Sequence, residues 1–445
     1  MANRDLTEGP VAGHLARLGL PMVIGVAAVL SVSLADTFFL GKLGTEELAA
    51  ISFTFPVVLT ITSLGIGMSA GASSVASRAI GRGDMDRTRR LATDAMILSF
   101  IIVALVSVAG WFLARPLFSL LGAQGGVLDM VVAYMRVWFV GVPFLVVPMV
   151  AMGLIRANGD STVPSLIMVA GALINIALDP AFIFGWGPIP PLGVEGAAWA
   201  TLAARAIMLV AAMFVVIHRE KLLTAAVPTA TAFAHSAWEV LKVGIPAAGS
   251  NMINPLSIGI VTAFLATYGN EAVAAFGVAT RVEALTTIPM LALSSAIGPV
   301  AGQNWGSGKP DRTKAAIGNA FLFVVLCGFV LGASFFLLAD PIVGLFTDDS
   351  AVRNIATSYL LIVGVTLGGY GVVINASAAF NAIGKAWVGL LFTFLRSFIL
   401  YIPAAWIATQ FGPPWAVFFG IALTNIVAGL SVAILAFVAL GKVRA

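Results

Sequence analysis

GRGDMDRT at residues 81–88 and GSGKPDRT at 306–313 are one stretch written twice, and their spacing decides the fold. Both glycines and the whole Asp-Arg-Thr triplet recur at a constant offset of 225 residues, from 81 to 306. The register holds outward in both directions without a gap. Gly19 and Pro21 fall on Gly244 and Pro246, and GTEELAA at 44–50 falls on GNEAVAA at 269–275. Pro116 meets Pro341, Tyr134 meets Tyr359, and Gly159 meets Gly384. Matches sustained at one offset mean an internal duplication, each half being one copy of a structural unit.

Composition says what each copy is made of. The chain has 445 residues, 60% hydrophobic and 10% charged, with a mean hydropathy of +1.03. Soluble domains carry about a quarter charged residues. Long apolar runs with short polar breaks mark an all-α polytopic membrane protein. The runs are continuous rather than alternating, which excludes a membrane β-barrel. At about 20 apolar residues per span, twelve transmembrane helices are expected near 15–40, 48–77, 93–113, 131–155, 163–185, 194–217, 240–267, 273–303, 316–338, 355–380, 387–409 and 415–440.

Six spans per copy is an even number, so both copies enter the membrane the same way round. The expectation is two six-helix lobes related by a pseudo-two-fold along the membrane normal, with a cavity between them. The N-lobe takes residues 1–217, the linker HREKLLTAAVPTATAFAHSAWE takes 218–239, and the C-lobe takes 240–445. That plan is the one an alternating-access transporter needs.

Lysine and arginine set the orientation. Of the 24, seventeen fall in the termini and the loops that follow even-numbered spans, Arg4, Lys442 and Arg444 among them. The opposite loops hold only Lys42, Arg115, Arg136 and Arg353. Both termini are therefore expected in the cytoplasm, with the protein in a bacterial-type inner membrane. The pI near 9.4 reports this topology and not nucleic-acid binding, because the bases are spread over many short loops. The first apolar run, from Leu15 to Leu40, is too long for a signal-peptide core and is expected to stay as span 1. A single cysteine, Cys327, excludes an internal disulfide.

Enzyme chemistry has little support. His14, His218 and His235 lack metal-ligand spacing, and no nucleophile-and-base pair is visible. GIGMSAG at 65–71 has no strand before it and lies inside a span, so Gly67 and Gly71 read as close helix packing and not as a nucleotide loop. No cofactor is expected beyond a coupling ion. Asp36 stands out: no other acid lies between Glu8 and it, and Phe38, Phe39 and Leu40 continue the apolar run beyond it. An intramembrane carboxylate costs about 2.5–3.5 kcal/mol on insertion scales and defaults to a functional role. Its bland alternative is an interfacial residue on a span that ends early.

Across nearly its whole length the sequence resembles the multidrug and toxic compound extrusion (MATE) family. The resemblance rests on the Gly19–Pro21 pair, SLADTFFLGKLGTEELAA at 33–50, GLIRANGDSTVP at 153–164, GVEGAAWAT at 193–201 and GVATRVEA at 277–284. It implies export of organic cations and other amphipathic compounds against inward flow of H⁺ or Na⁺. Within the family the pattern is similar to the DinF-like branch, which implies a coupling site on Asp36 of span 1, Asn175 and Asp179 of span 5, and Thr201 of span 6. The NorM branch also carries acids on spans 7 and 10. Here span 7 has only Glu239 at its start and span 10 has none.

The residues agree with that site on their own terms. Asp36 lies six residues before Lys42, roughly 9 Å at the helical rise. Asn175 and Asp179 are spaced i, i+4 and share a helix face. Removal from water disfavours a charged carboxylate, a second carboxylate nearby disfavours it further, and the same oxygens suit a sodium ion. The chemistry alone does not choose between H⁺ and Na⁺; of the two, the proton is the ion expected. As bland alternatives, Asp179 before Pro180 caps the end of span 5, and Asn175 and Thr201 join helices by hydrogen bonds.

Arg281 and Glu283 are expected in a polar network of the C-lobe, though at i, i+2 they do not face one another. Asn251 and Asn254, with Pro255, would mark a broken, cavity-lining span 7. The partners expected are the lipid bilayer and small amphipathic organic substrates, mainly cationic, for a monomeric antiporter. The alternatives are a flippase for a lipid-linked diphosphate, which would want more intramembrane bases than Arg205, Arg281 and Arg396, and an exporter of one endogenous metabolite.

Overall fold

The computed structural model describes residues 5–188, 190–226 and 228–441, so Arg4, Lys442 and Arg444 of the orientation argument lie outside the described residues. The described chain is helical almost throughout, because in a hydrocarbon solvent a backbone must satisfy its own hydrogen bonds. In chain order the helices are α1 Val11–Gly41, α2 Thr45–Gly81, α3 Met85–Leu120, α4 Gly125–Ala157, α5 Thr162–Phe184, α6 Gly193–Arg219 and α7 Ala230–Tyr268. There follow α8 Asn270–Thr286, α9 Ile288–Gly306, α10 Pro310–Val343, α11 Ser350–Gly364, α12 Leu367–Ala382, α13 Ala386–Phe411 and α14 Pro414–Gly441. Ten are long and apolar enough to cross a membrane singly. α8 with α9, bent by 45°, and α11 with α12, bent by 60°, supply two broken spans and bring the number to twelve.

The duplication is visible in backbone angles. Gly83 has φ +76° and its repeat partner Gly308 has φ +72°; Gly159 has φ +83° and Gly384 has φ +81°. These are left-handed residues just past a helix end, where glycine carries no Cβ penalty. The second glycine of each recurring GxG loop is therefore required by turn geometry. Asp84 then caps α3 by accepting from the Arg87 N–H at 2.9 Å, and Pro310 starts α10 in the corresponding place.

The chain packs as two compact units, one of Ile24–Ala248 and one of the residues up to Val23 with Gly249 and those after it. The division passes through α1 and α7, whereas the sequence places it at 217 and 240. The reason lies in what the ends of these helices touch. A Cβ at Gly19 would meet Leu293 and Ala296 of α9, and one at Gly71 of α2 would lie 2.5 Å from the Val240 carbonyl of α7.

In the Ile24–Ala248 unit α4 is the central helix, packed against α2, α3 and α6. Some 72% of its apolar window is buried, against 22% for α3, so it reads as apolar on every face. Gly67 and Gly71 bring α2 against α7, with a Cβ at Gly67 only 2.3 Å from the Gly244 carbonyl. In the other unit α12 takes the central place, against α9, α10, α13 and α14.

The second unit also holds Leu6, from the segment that precedes α1. Leu6 is fully buried, its N–H donating to Gln303 Oε1 at 3.3 Å. Its carbonyl accepts from Asn304 Nδ2 at 2.9 Å, and Asn304 Oδ1 accepts from Arg312 Nε at 2.8 Å. Asn304→Leu removes the first of these donors from a buried carbonyl, so a loss of about 1–3 kcal/mol is expected. A lower unfolding temperature in detergent, with faster proteolytic loss of the first ten or so residues, is the readout.

Candidate functional site

Three helices of the Ile24–Ala248 unit bring the expected residues together. α1 continues five residues past Asp36 to Gly41, so Asp36 sits within a helix and not at an early end. α5 likewise runs through Asp179 and Pro180 to Phe184, so Asp179 is no terminal cap. Asp179 is fully buried and Asn175, one turn earlier, is 3% exposed. Asn175 Nδ2 donates to Thr201 Oγ1 of α6 at 3.3 Å, which joins α5 to α6.

The two carboxyls face each other within hydrogen-bonding reach. As bare carboxylates they are acceptors without a donor. Asp36 Oδ1, both oxygens of Asp179 and Asn175 Oδ1 are buried with no hydrogen-bond partner. Buried polar atoms in native proteins are almost always satisfied, so this cluster lacks a positive or donating species. One shared proton would turn two facing acceptors into a donor and an acceptor.

Two further residues belong to the cluster and were not read from the sequence as members. Arg205 lies one turn beyond Thr201 on α6, acts electrostatically on Asp36 and stacks over the Trp138 ring at 5.6 Å. Tyr134 of α4 interacts with both carboxyls and with Arg205. The i, i+4 spacing of Thr201 and Arg205 was the available signal for the first. For Tyr134 it was the repeat: its counterpart Tyr359 also serves a carboxyl, donating a short hydrogen bond to Glu283 Oε2.

That second contact opens a separate polar network in the other unit. Arg396 of α13 donates to Asn425 Oδ1 at 3.0 Å and to Asn254 Oδ1 at 3.3 Å, and Asn425 Nδ2 donates to Thr366 Oγ1 at 3.2 Å. Of the expected pair only Glu283 takes part. Arg281 is exposed and no described residue bonds or pairs with it; at i, i+2 it does not face Glu283. Asn251 is exposed on α7 while Asn254 turns to Arg396. The broken helix expected here is absent: α7 is continuous past Pro255 to Leu265, and the breaks fall instead in the spans of α8–α9 and α11–α12.

No group of three or more His, Cys, Asp or Glu suited to a metal ion occurs among the described residues. A family model described as MatE matches the chain twice, over residues 21–181 and 246–407, with starts one repeat offset apart. A Shewanella oneidensis protein named FAD transporter is 37% identical over 96% of this chain and 94% of its own length. Multidrug export protein MepA of Staphylococcus aureus is 27% identical over 86% of this chain and 82% of its own. Among solved structures, a mutant of the Vibrio cholerae MATE transporter VcmN superposes with a TM-score of 0.93 at 28% identity, covering 97% of each chain. An outward-facing MATE-family multidrug resistance transporter of the MOP superfamily gives 0.94 at 26% identity, over 100% of this chain and 99% of that one.

Proposed function

This chain belongs to the MATE family of membrane transporters, and from that premise we propose that it is a proton-coupled antiporter exporting small amphipathic molecules by alternating access. The observation that carries the reading is the pair of facing carboxyls, half-buried Asp36 and fully buried Asp179, whose buried oxygens have no donor, beside Asn175 and Thr201. A shared proton leaves one negative charge on the pair, opposite the Arg205 guanidinium, and so brings the site to neutrality. Loss of that proton restores two unpaired acceptors. This difference in stability between two protonation states is what can bias a two-state transporter. The same unpartnered oxygens would accept sodium; the proton is favoured because it supplies the donor that they lack.

In the cycle proposed, the ion enters at Asp36 and Asp179, α1 bends near Pro21 or Ser31–Ser33, and the substrate leaves. Each proton moving inward across the membrane is driven by about 2.3 kcal/mol per 100 mV. Both termini lie in the cytoplasm, the membrane is a bacterial inner membrane, and the unit of function is a monomer. The substrates proposed are mainly cationic drugs, as the name of the MepA relative suggests.

A second substrate reading has its own support. The relative named FAD transporter covers nearly all of this chain, which favours export of a flavin nucleotide through the same cycle. Efflux from energised vesicles loaded in parallel with ethidium and with FAD separates the two. Under the proton reading a proton ionophore stops efflux of the true substrate, and replacing sodium with choline leaves it intact. Efflux that stops only without sodium would change the ion. No efflux of either compound would end the exporter reading.

A further inference from the structure

The coupling pair does not use Arg396, which sits in the other unit within a π-helical segment, Leu395–Tyr401, of α13. π-turns inside α-helices recur at functional sites, since the extra residue re-aims side chains at the expense of regular hydrogen bonding. Arg396 is 5% exposed. Its guanidinium lies against the ring of Tyr370 at 4.1 Å and that of Tyr401 at 5.2 Å. Its two hydrogen-bond partners, Asn254 and Asn425, offer neutral amide oxygens. No described carboxylate pairs with it, and Glu283, which it reaches only through space, spends its hydrogen bond on Tyr359. Its Nε is buried without any partner.

A full positive charge inside a membrane protein, held by neutral groups and with a donor left over, is costly unless an anion completes it. The free Nε–H together with an Nη–H forms the planar fork that matches two oxygens of a phosphate. The flanking tyrosines hold that fork in one plane, and Asn254 and Tyr370 are partly exposed at its edge. We propose that Arg396, braced by Tyr370, Tyr401 and Asn254, is a subsite for a phosphate or diphosphate group carried by the transported molecule. The inference rests on the exporter reading and deepens its second form: in FAD the diphosphate meets Arg396 and a flat ring meets the partly exposed Tyr370. A lipid-linked diphosphate would offer the same anion.

The test is equilibrium binding to the full-length protein purified in detergent, with three probes: FAD, riboflavin, which has the ring system and no phosphate, and farnesyl diphosphate. Two variants are compared with wild type. Arg396→Gln removes the fork. Asn254→Asp is isosteric and puts a carboxylate beside the guanidinium, so it competes with the anion while keeping the packing. In both, FAD affinity is expected to fall about tenfold or more, with riboflavin affinity little changed. Equal FAD affinity in wild type and both variants overturns the subsite, as does a parallel fall for FAD and riboflavin. Arg396-dependent binding of farnesyl diphosphate without FAD keeps the phosphate contact and overturns its assignment to a flavin. Wild-type protein that exports ethidium yet binds neither diphosphate overturns the inference and leaves the exporter reading standing. Arg396-dependent FAD binding by a protein that exports nothing supports the subsite and ends that reading.

Discussion

Asp36→Asn is expected to abolish export while leaving the protein as stable as wild type, or more so. Asparagine matches aspartate in size and brings an amide donor to a place where buried oxygens of Asp36 and Asp179 have none. The substituted site is therefore held in a state that resembles the protonated one, and the cycle loses the alternation that the ion provides. Couplings between an ion and a substrate are commonly about 1–3 kcal/mol, or 5–150-fold, so efflux should drop by at least about fivefold and toward background. Asp179→Asn should do the same, and the double variant should be no worse than either, because the two carboxyls act on one proton. Substrate binding in detergent should survive. The measurements are ethidium or FAD efflux from energised vesicles alongside a thermal unfolding curve. Full efflux from Asp36→Asn would remove the coupling role, and a lost fold would make the pair structural.

The largest effect on stability is expected at two facing glycine pairs. Gly328 and Gly332 of α10 lie against Gly364 and Gly368, at the bend between α11 and α12. A Cβ at Gly328 would lie 2.3 Å from the Gly368 nitrogen, and one at Gly332 would lie 2.5 Å from the Gly364 carbonyl. Both obstacles are backbone, which cannot rotate aside as a side chain can. Small residues let two helices approach this closely in a medium where apolar burial alone drives no association. Gly332→Val should cost about 1–3 kcal/mol or more, seen as an unfolding temperature lowered by several degrees and a poor yield. Gly298→Ala of α9 is the control: nothing lies within 4 Å of the added methyl, so stability should hold or rise slightly. Equal melting of Gly332→Val and wild type would mean that α10 is not held at this bend.

The two results differ in where they could be foreseen. A carboxylate at position 36 is conspicuous in the sequence because hydrocarbon is a hostile solvent for it, and that argument needs no coordinates. The four glycines are spaced as two GxxxG pairs, GFVLG and GVTLG, yet neither pair says which helix it will meet.

Span number follows from the length of each apolar run against the thickness of a bilayer, and the two-copy plan follows from the 225-residue register. Both are properties of a one-dimensional string, and both survive in the fourteen helices and the paired glycine angles. Asp36, Asn175, Asp179 and Thr201 could be nominated because each is a polar group in a run that otherwise excludes water. Which polar groups meet is a different matter, since a side chain inside a membrane finds partners on helices far away in the chain. Arg205 and Tyr134 joined the acids, and Arg396 took two asparagines and two tyrosines while Arg281 found no partner among the described residues. The break at Thr287 lies beside Pro289 in the first turn of α9, whereas the one at Val365–Thr366 falls at no proline and Pro255 breaks nothing. Hydrophobicity against the bilayer is additive along the chain, so the sequence alone determined the spans and their repetition. Partner choice and helix bending depend on the simultaneous packing of several helices, and only the tertiary structure decided them.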